Sequence, residues 1–560
     1  MRHLLYLPLL ALAACGGPRV AVSRPAIAVD SAVRLAADVI LPAERPTAGV
    51  PTILLQTRYW RSFRMRGGGG PTLPQGPREP IVARLVEAGF GVVITDVRGT
   101  GASDGVWSHP WSSDEVHDMH AVLDWIVAQP WSNGAVGATG VSYEGTTALL
   151  AAASHHPALK SVLARQIEWE LADETLAPGG VRNVLFPDVW GRTVDALDHG
   201  RYPDMFPRFG KLLIAGVARR DDDPDGAQQT AREAARASSD IAARARSVYT
   251  GRDAFGEDGP PVDSIGPAAY AHALRASPTI VALWGSWWDG GTADAVLRAD
   301  STLTLAQAVI GGWTHEGDTS ASPLPRRTHD ASIVHLDSVV QFFRRTVRDV
   351  PQRPDTTTRV RWYESGSDAW RTAASWPRTI SRVWTVHAPP TTAPHDTLHT
   401  FVARGLATTG RNTRWTTGLA RPVDISDRAS ARGLHSYALA PLDDTLHVFG
   451  AGTFTCAMTA NVPEATLHVY VESVSPDGHV RLLTEGMQRV RRGTTSQRVH
   501  DTVTVRIRPV AFALPAGWRL RVSLAGEDQP TFERLPAIGD VTWRVQATRC
   551  TLSLPVYTPV

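Results

Sequence analysis

Two serines in this sequence stand among the small residues that a serine nucleophile needs, and they compete for one role. The stretch TDVRGTGASDG, residues 95–105, holds a complete G-x-S-x-G pentapeptide around Ser103. The stretch GATGVSYEG, residues 137–145, holds Ser142, with Gly140 two residues before it and Gly145 three after. A serine hydroxyl attacks a carbonyl effectively from a tight strand-to-helix turn, where the next backbone N–H and the helix N-terminus stabilise the oxyanion. Ser142 has that context: strand-like GAVGATGVS leads in, and alanine-rich YEGTTALLAAASHH leads out to a stop at Pro157. After Ser103, Pro110 and Trp111 intervene before the next helical pattern begins near Ser112. With 47 glycines in the chain a chance G-x-S-x-G is unsurprising, so context outranks the string. Ser142 is the expected nucleophile, and GASDG a supporting loop in which Asp96 and Arg98 are structural.

A serine hydrolase also needs a base and an acid, in the order acid then histidine, each at the end of a later strand. VALWGSWWDGG places Asp289 at the end of an apolar run, followed by glycines. AQAVIGGWTHEG places His315 in the same situation, past a Gly-Gly bend. Those two positions make Asp289 and His315 the expected partners of Ser142.

The elements that must position them alternate. Strand-like VRLAADVILP, PTILLQTRY and GVVITDVRG are interleaved with the helical spacings of EPIVARLVEAGF and SSDEVHDMHAVLDWIVAQ, the latter opened by a Ser112-x-x-Glu115 capping box. Such alternation predicts a mostly parallel sheet flanked by helices. The rhythm is lost between residues 168 and 278, where DGAQQTAREAARASSDIAARARSVY predicts one Ala/Arg-rich helix, and this block is an inserted helical cap. The acidic run in RRDDDPDG lacks the ligand spacing of an EF-hand and is a solvated loop. From residue 351 onward, short alternating strands predict an all-β sandwich. The expected organisation is a signal peptide at 1–14, a tether at 15–24, a core at 25–167 and 279–350, the cap at 168–278 and the sandwich at 351–560.

At 560 residues the chain exceeds one hydrophobic core. Its 57 basic and 55 acidic residues give a net charge of +2, so no nucleic-acid partner is expected. MRHLLYLPLLALAACGG has a basic start and an apolar run too short to cross a bilayer, the pattern of a secretory signal. Leu12-Ala13-Ala14-Cys15 resembles a bacterial lipobox, so Cys15 is the expected lipidation site of an exported cell-envelope lipoprotein. No other contact with membrane is expected. In an oxidising compartment the two remaining cysteines, Cys456 and Cys550, are either a disulfide or two buried thiols.

Gly140-x-Ser142-Tyr143-x-Gly145 resembles the variant elbow of the cocaine esterase/Xaa-Pro dipeptidyl-peptidase superfamily, the CocE/NonD hydrolases and α-amino acid ester hydrolases. DVRGTGASDG, QPWSNGAVGATGVSYEG, APGG at 177–180, WWDG, GWTHEG and SDAWRTAASWP are similar to family blocks in family order. The resemblance implies an α/β-hydrolase core with a helical cap insertion and a C-terminal all-β jelly-roll. It implies Ser142 as nucleophile, His315 as general base and then acid, and Asp289 as the residue orienting the imidazole. It further implies that Tyr59, in LLQTRYW, gives an oxyanion its hydroxyl while Tyr143 gives its backbone N–H. No metal and no organic cofactor is implied.

Trp60, Trp169, Trp287 and Trp288 flank these segments and are expected to line an apolar acyl pocket. The α-amino acid ester hydrolases hold a substrate ammonium with carboxylates, part of them just after the catalytic aspartate. Here Asp289 is followed by Gly-Gly-Thr-Ala, which leaves Asp173 and Glu174 of the cap as substitutes. The expected activity is cleavage of a small ester, amide or short peptide through an acyl-enzyme. The alternatives are an Xaa-Pro dipeptidyl-peptidase and a catalytically dead surface-binding lipoprotein.

Overall fold

The computed structural model describes residues 20–67, 79–204, 206, 209–317, 320–324, 332–348, 359–386, 398–403, 414–416, 434–491 and 501–559. Cys15 and the signal-like segment lie outside these residues.

Strands rich in β-branched residues and buried along their whole length form the centre of the first sheet. Val50–Thr57 and Gly91–Asp96 have no exposed residue. Their side chains alternate between faces: Leu54 and Val93 enter one core cluster, while Ile53, Leu55, Val92 and Ile94 enter another. The sheet has 11 strands among the described residues. Its path runs Val20–Ser23, Arg34–Pro42, Gly91–Asp96, Val50–Thr57, Ser132–Val141, Leu159–Arg165, Ile280–Ser286, Gln307–Gly311, Val360–Glu364, Ala369–Ala373. From Gly91–Asp96 through Val360–Glu364 every pairing is parallel, so these strands all end at one edge. The strand order reverses at Val50–Thr57, which lies between the later strands Gly91–Asp96 and Ser132–Val141. In open α/β sheets a ligand crevice opens at such a reversal, outside the carboxyl ends of the strands.

The block between the first and second halves of this sheet is mainly helical, including Leu185–Asp198, Ala227–Ala235 and Ile241–Arg244. It is not helical throughout. Strand Ile214–Val217 pairs antiparallel with Phe63–Met65 and fastens the cap to the loop that follows Tyr59. The single helix expected over 225–249 is broken at Arg236, whose backbone is extended (φ −67°, ψ 134°). Its guanidinium turns inward and donates to the carbonyls of Gly101 at 3.0 Å, Ser103 at 3.0 Å and Asp198 at 3.2 Å. Two carbonyls of one distant loop and one at the end of another cap helix outweigh the helical propensity of an Ala/Arg-rich stretch.

The C-terminal part is a two-sheet sandwich. One sheet contains Ile380–Thr385, Leu398–Ala403, Val541–Val556, Leu446–Ala460 and Asp501–Leu514; the other contains His435–Pro441, Arg519–Ala525, Glu464–Val474 and Val480–Arg491. Cys456 and Cys550 face each other on neighbouring antiparallel strands and form a disulfide. Val360–Glu364 and Ala369–Ala373 extend the first sheet, so the two packed sheets begin in space at Ile380. The difference arises because the edge strand Gln307–Gly311 offers parallel pairing to the next strand in sequence.

Candidate active site

The turn at Ser142 has the geometry of a nucleophile elbow. Strand Ser132–Val141 ends one residue before it and helix Tyr143–Ala151 begins one residue after it. Ser142 has φ 62° and ψ −128°, a region costly for a residue with a Cβ, and such strain concentrates at functional sites. The turn closes only because its flanks are glycine. A Cβ on Gly140 would lie 2.4 Å from the Glu144 carbonyl carbon, and one on Gly145 would lie 2.3 Å from the Arg165 carbonyl oxygen. The amide of Ser142 donates to that same Arg165 oxygen at 3.0 Å, which pins the elbow to the neighbouring strand. Ser142 itself is half-buried at the carboxyl edge of the sheet.

Ser103 is in a different situation. It is fully buried, donates its hydroxyl to the Asp96 carbonyl at 2.7 Å and accepts from the Ala36 amide at 2.8 Å. Asp96 takes the side chain of Arg61 at 2.8 Å, and Arg98 pairs with Asp118. All three residues are engaged in holding the loop together.

Asp289 follows strand Ile280–Ser286 and His315 follows Gln307–Gly311. These strands are neighbours, and the imidazole Nδ1 meets the Asp289 Oδ2 at 2.8 Å. Asp289 is almost wholly buried. Its loop is clamped from outside the sheet: the Gly290 amide donates to the Arg414 carbonyl at 2.8 Å and the Gly291 amide to the Glu174 carbonyl at 3.1 Å. Burial disfavours a charged His315, but Asp289 through its charge and hydrogen bond, with Glu316 and Glu168 through charge alone, prevails and raises its pKa to about 9. Gln166, at the end of the strand beside the elbow, completes the edge. Its Oε1 accepts from Thr292 Oγ1 at 3.2 Å and its Nε2 donates to the Thr314 carbonyl.

Tyr59 follows Val50–Thr57, the strand at which the sheet order reverses, and Ser142 follows the adjacent strand. Their positions flank the point where the strand order reverses. The Tyr59 ring meets the Tyr143 ring edge-on at 6.1 Å, and its hydroxyl accepts the indole N–H of Trp190 at 2.8 Å. Burial raises the Tyr59 phenol above its ordinary pKa, so it stays protonated and able to donate. Tyr143 is anchored on its other side. Its hydroxyl donates to Glu115, with carboxylate oxygens at 2.8 and 2.9 Å, and accepts from the Trp107 indole at 3.2 Å. Only half of the expected capping box therefore forms: Ser112 Oγ accepts the Glu115 amide at 3.3 Å, while the Glu115 carboxyl goes to Tyr143.

The four tryptophans expected to line an acyl pocket are built into the core. Trp60 is fully buried and donates to the Leu197 carbonyl at 3.1 Å. Trp287 donates to the Tyr363 carbonyl at 2.8 Å, and Trp288 to the Leu483 carbonyl of the sandwich at 3.0 Å. Trp169 is also buried, with its amide on the Glu174 carboxylate at 2.6 Å. From the cap, Trp190 on helix Leu185–Asp198 also touches Tyr59, and no spacing in the sequence marks it.

The cap carboxylates are also engaged. Asp173 pairs with Arg508 at 2.9 Å and with Arg298, and Glu174 pairs with Arg298 at 3.0 Å. Glu168 differs. It is half-buried, takes the Thr146 hydroxyl at 3.2 Å and has no ion-pair partner among the described residues. Burial raises its carboxyl to about 7, with His315 pulling the other way.

Among the described residues one group could converge on a metal, His120, Asp124 and His156. It lies before the start of strand Leu159–Arg165, at the sheet edge opposite Ser142. His156 Nδ1 accepts the Ala158 amide at 3.1 Å, which leaves the ring proton on Nε2, 3.0 Å from Asp124. A ligating imidazole needs an acceptor at its second nitrogen, and here a donor occupies that place. The trio is buried His156 hydrogen-bonded to exposed Asp124, with exposed His120 beside them.

Comparison with known proteins identifies the family. Residues 30–317 match the X-Pro dipeptidyl-peptidase (S15 family), and residues 353–550 match the X-Pro dipeptidyl-peptidase C-terminal non-catalytic domain. Over a 600-residue alignment covering 95% of each chain, the sequence is 29% identical to the protein named "Putative serine esterase" from Mycobacterium bovis. It is 23% identical over 503 residues to the cocaine esterase of a Rhodococcus species, covering 82% of this chain and 84% of that one. An α-amino acid ester hydrolase structure shares the fold with a TM-score of 0.72 at 19% identity, covering 97% of each chain. An aminopeptidase from a marine sediment archaeon, Thaumarchaeota archaeon, does so with a TM-score of 0.72 at 18% identity, covering 96% of this chain and 97% of that one. The chain belongs to the X-Pro dipeptidyl-peptidase S15 family and is a serine hydrolase of the CocE/NonD type.

Proposed function

We propose that this hydrolase cleaves an ester or amide through an acyl-enzyme on Ser142, with His315 and Asp289 as its proton-handling pair. The observation that carries this reading is the strained elbow at Ser142 on the same sheet edge as the 2.8 Å His315–Asp289 hydrogen bond. With Nδ1 donating to Asp289, Nε2 is the basic nitrogen. It takes the Ser142 proton as Oγ bonds to the substrate carbonyl carbon, then delivers it to the departing alcohol or amine as that bond breaks. Water, activated by the same nitrogen, releases the acid and restores the serine. The tetrahedral oxyanion takes the Tyr143 backbone N–H and the Tyr59 hydroxyl. Tyr59→Phe is expected to lower turnover about 10²–10³-fold.

A second reading, dipeptidyl-peptidase or α-amino acyl activity, is favoured by Glu168. A carboxylate with no ion-pair partner among the described residues, close enough to interact with His315, suits a substrate ammonium. Rates on p-nitrophenyl esters, Gly-Pro and phenylglycine derivatives separate the two readings. If amine-bearing substrates are preferred, Glu168→Gln raises their KM and leaves that of plain esters alone; a plain-ester preference insensitive to Glu168 rejects the second reading.

We further propose export with a lipid on Cys15. Strand Val20–Ser23 is antiparallel to Arg34–Pro42, which is itself antiparallel to Gly91–Asp96, so the chain enters the sheet at the edge opposite Ser142. An anchor there would leave the catalytic edge facing away from the bilayer. Membrane fractionation of the wild type and Cys15→Ala tests it: release of the variant alone supports the anchor, and equal fractionation opposes it.

A further inference from the structure

The contact between Trp190 and Tyr59 joins two parts of the fold that have no need to touch. Trp190 belongs to the cap helix, is half-buried, and stacks on Phe186 with rings 6.1 Å apart and 6° from parallel. Tyr59 belongs to the sheet edge, and its backbone is fixed independently by its amide donating to Thr57 Oγ1 at 2.9 Å. Packing alone would bring two aromatic rings together without ordering their polar atoms. Here the indole N–H points at the phenolic oxygen at 2.8 Å.

A phenolic proton lies near the ring plane in one of two orientations, and an N–H accepted on one side of the oxygen excludes the orientation on that side. We infer that Trp190 is a positioning residue for the Tyr59 hydroxyl, selecting the orientation in which its proton is offered to the oxyanion. The inference rests on the oxyanion reading of Tyr59. It makes the cap part of the catalytic apparatus: a cap displaced by a few tenths of an ångström would loosen the donor as well as the walls of the site. Trp190 acts through Tyr59, so its removal weakens an interaction made in the transition state and leaves ground-state binding nearly unchanged.

The test is a double-mutant cycle on a p-nitrophenyl ester. Trp190→Phe is expected to lower kcat about 10-fold with KM within about twofold, and Tyr59→Phe about 10²–10³-fold. The double variant is expected to match Tyr59→Phe alone, because without the hydroxyl there is nothing left to orient. Losses that multiply in the double variant would overturn the inference. So would a Trp190→Phe enzyme with wild-type kcat, or one in which only KM rises, since that marks substrate packing. A Tyr59→Phe enzyme with wild-type kcat would instead remove the oxyanion reading itself. If Trp190→Phe does not fold, replacing the indole N–H by sulfur through benzothienylalanine at position 190 preserves ring shape and yields the same readout.

Discussion

Nδ1 of His315 and Oδ2 of Asp289 lie 2.8 Å apart, on loops that leave adjacent parallel strands at the same edge of the sheet. The carboxylate is almost wholly buried, so its charge acts on the imidazole through little solvent. In the proposed mechanism His315 must be neutral to take the Ser142 proton, and Asp289 holds its pKa up at about 9. kcat/KM on a neutral ester is therefore expected to rise with pH, reaching half its maximum above the ordinary imidazole value of about 6.5 and toward 9. A pH–rate profile checks this; a plateau already reached by pH 7 would contradict it.

Replacing Asp289 by Asn keeps the size of the side chain and removes the charge. Two consequences are expected together. kcat should fall about 10⁴-fold, and the rising limb of the profile should move to lower pH because the charge that raised the imidazole is gone. Measuring kcat/KM against pH for Asp289→Asn tests both, and a fall in rate with an unmoved limb would point to misfolding of the loop.

The buried Glu115–Tyr143 pair makes a stability prediction. Burial raises the Glu115 carboxyl from its ordinary 4.5 to about 8, with the Tyr143 hydroxyl opposing it. A group whose pKa is higher in the folded state contributes stability that is fully present below the unfolded value. That contribution is lost as pH climbs through the folded value. Glu115→Gln keeps an acceptor for the Tyr143 hydroxyl and removes the titration. Between pH 5 and 8 its urea midpoint should decline less than that of the wild type.

Arg508 of the sandwich reaches the cap at Asp173 and also Asp294, in the first turn of the helix Thr292–Thr302 that follows Asp289. Asp294 is almost wholly buried and Arg508 nearly so. Arg508→Met leaves the two carboxylates short of a counter-charge, at an expected cost of about 3–5 kcal/mol. Urea unfolding at pH 7 measures it. An unchanged midpoint would mean that Arg298 and Arg506, which also pair with these two acids, suffice alone.

Much of this site could be read along the chain because the relevant signals are local. The strand into Ser142, the helix out of it and the two small residues beside it are encoded within about ten positions, as are the strand ends at Asp289 and His315. What could not be read depends on partners far away in sequence. Arg236 ends a helix because the carbonyls of Gly101, Ser103 and Asp198 lie beneath it, and Ile214–Val217 is a strand because Phe63–Met65 passes by. Glu115 leaves its capping box for a tyrosine 28 positions on. Trp190 is one of 18 tryptophans, and apolar periodicity does not show which of them aims its N–H at Tyr59. Adjacency to the motifs does not show whether a tryptophan lines a pocket, and Trp60, Trp169, Trp287 and Trp288 are buried.

The central claim is that Ser142, and no other serine, carries the acyl group. Labelling the full chain with a fluorophosphonate and locating the adduct by mass spectrometry tests it most directly. The predicted result is an adduct on Ser142 in the wild type, none in Ser142→Ala, and an unchanged adduct on Ser142 in Ser103→Ala. A label that persists in Ser142→Ala, or that maps to Ser103, would contradict it.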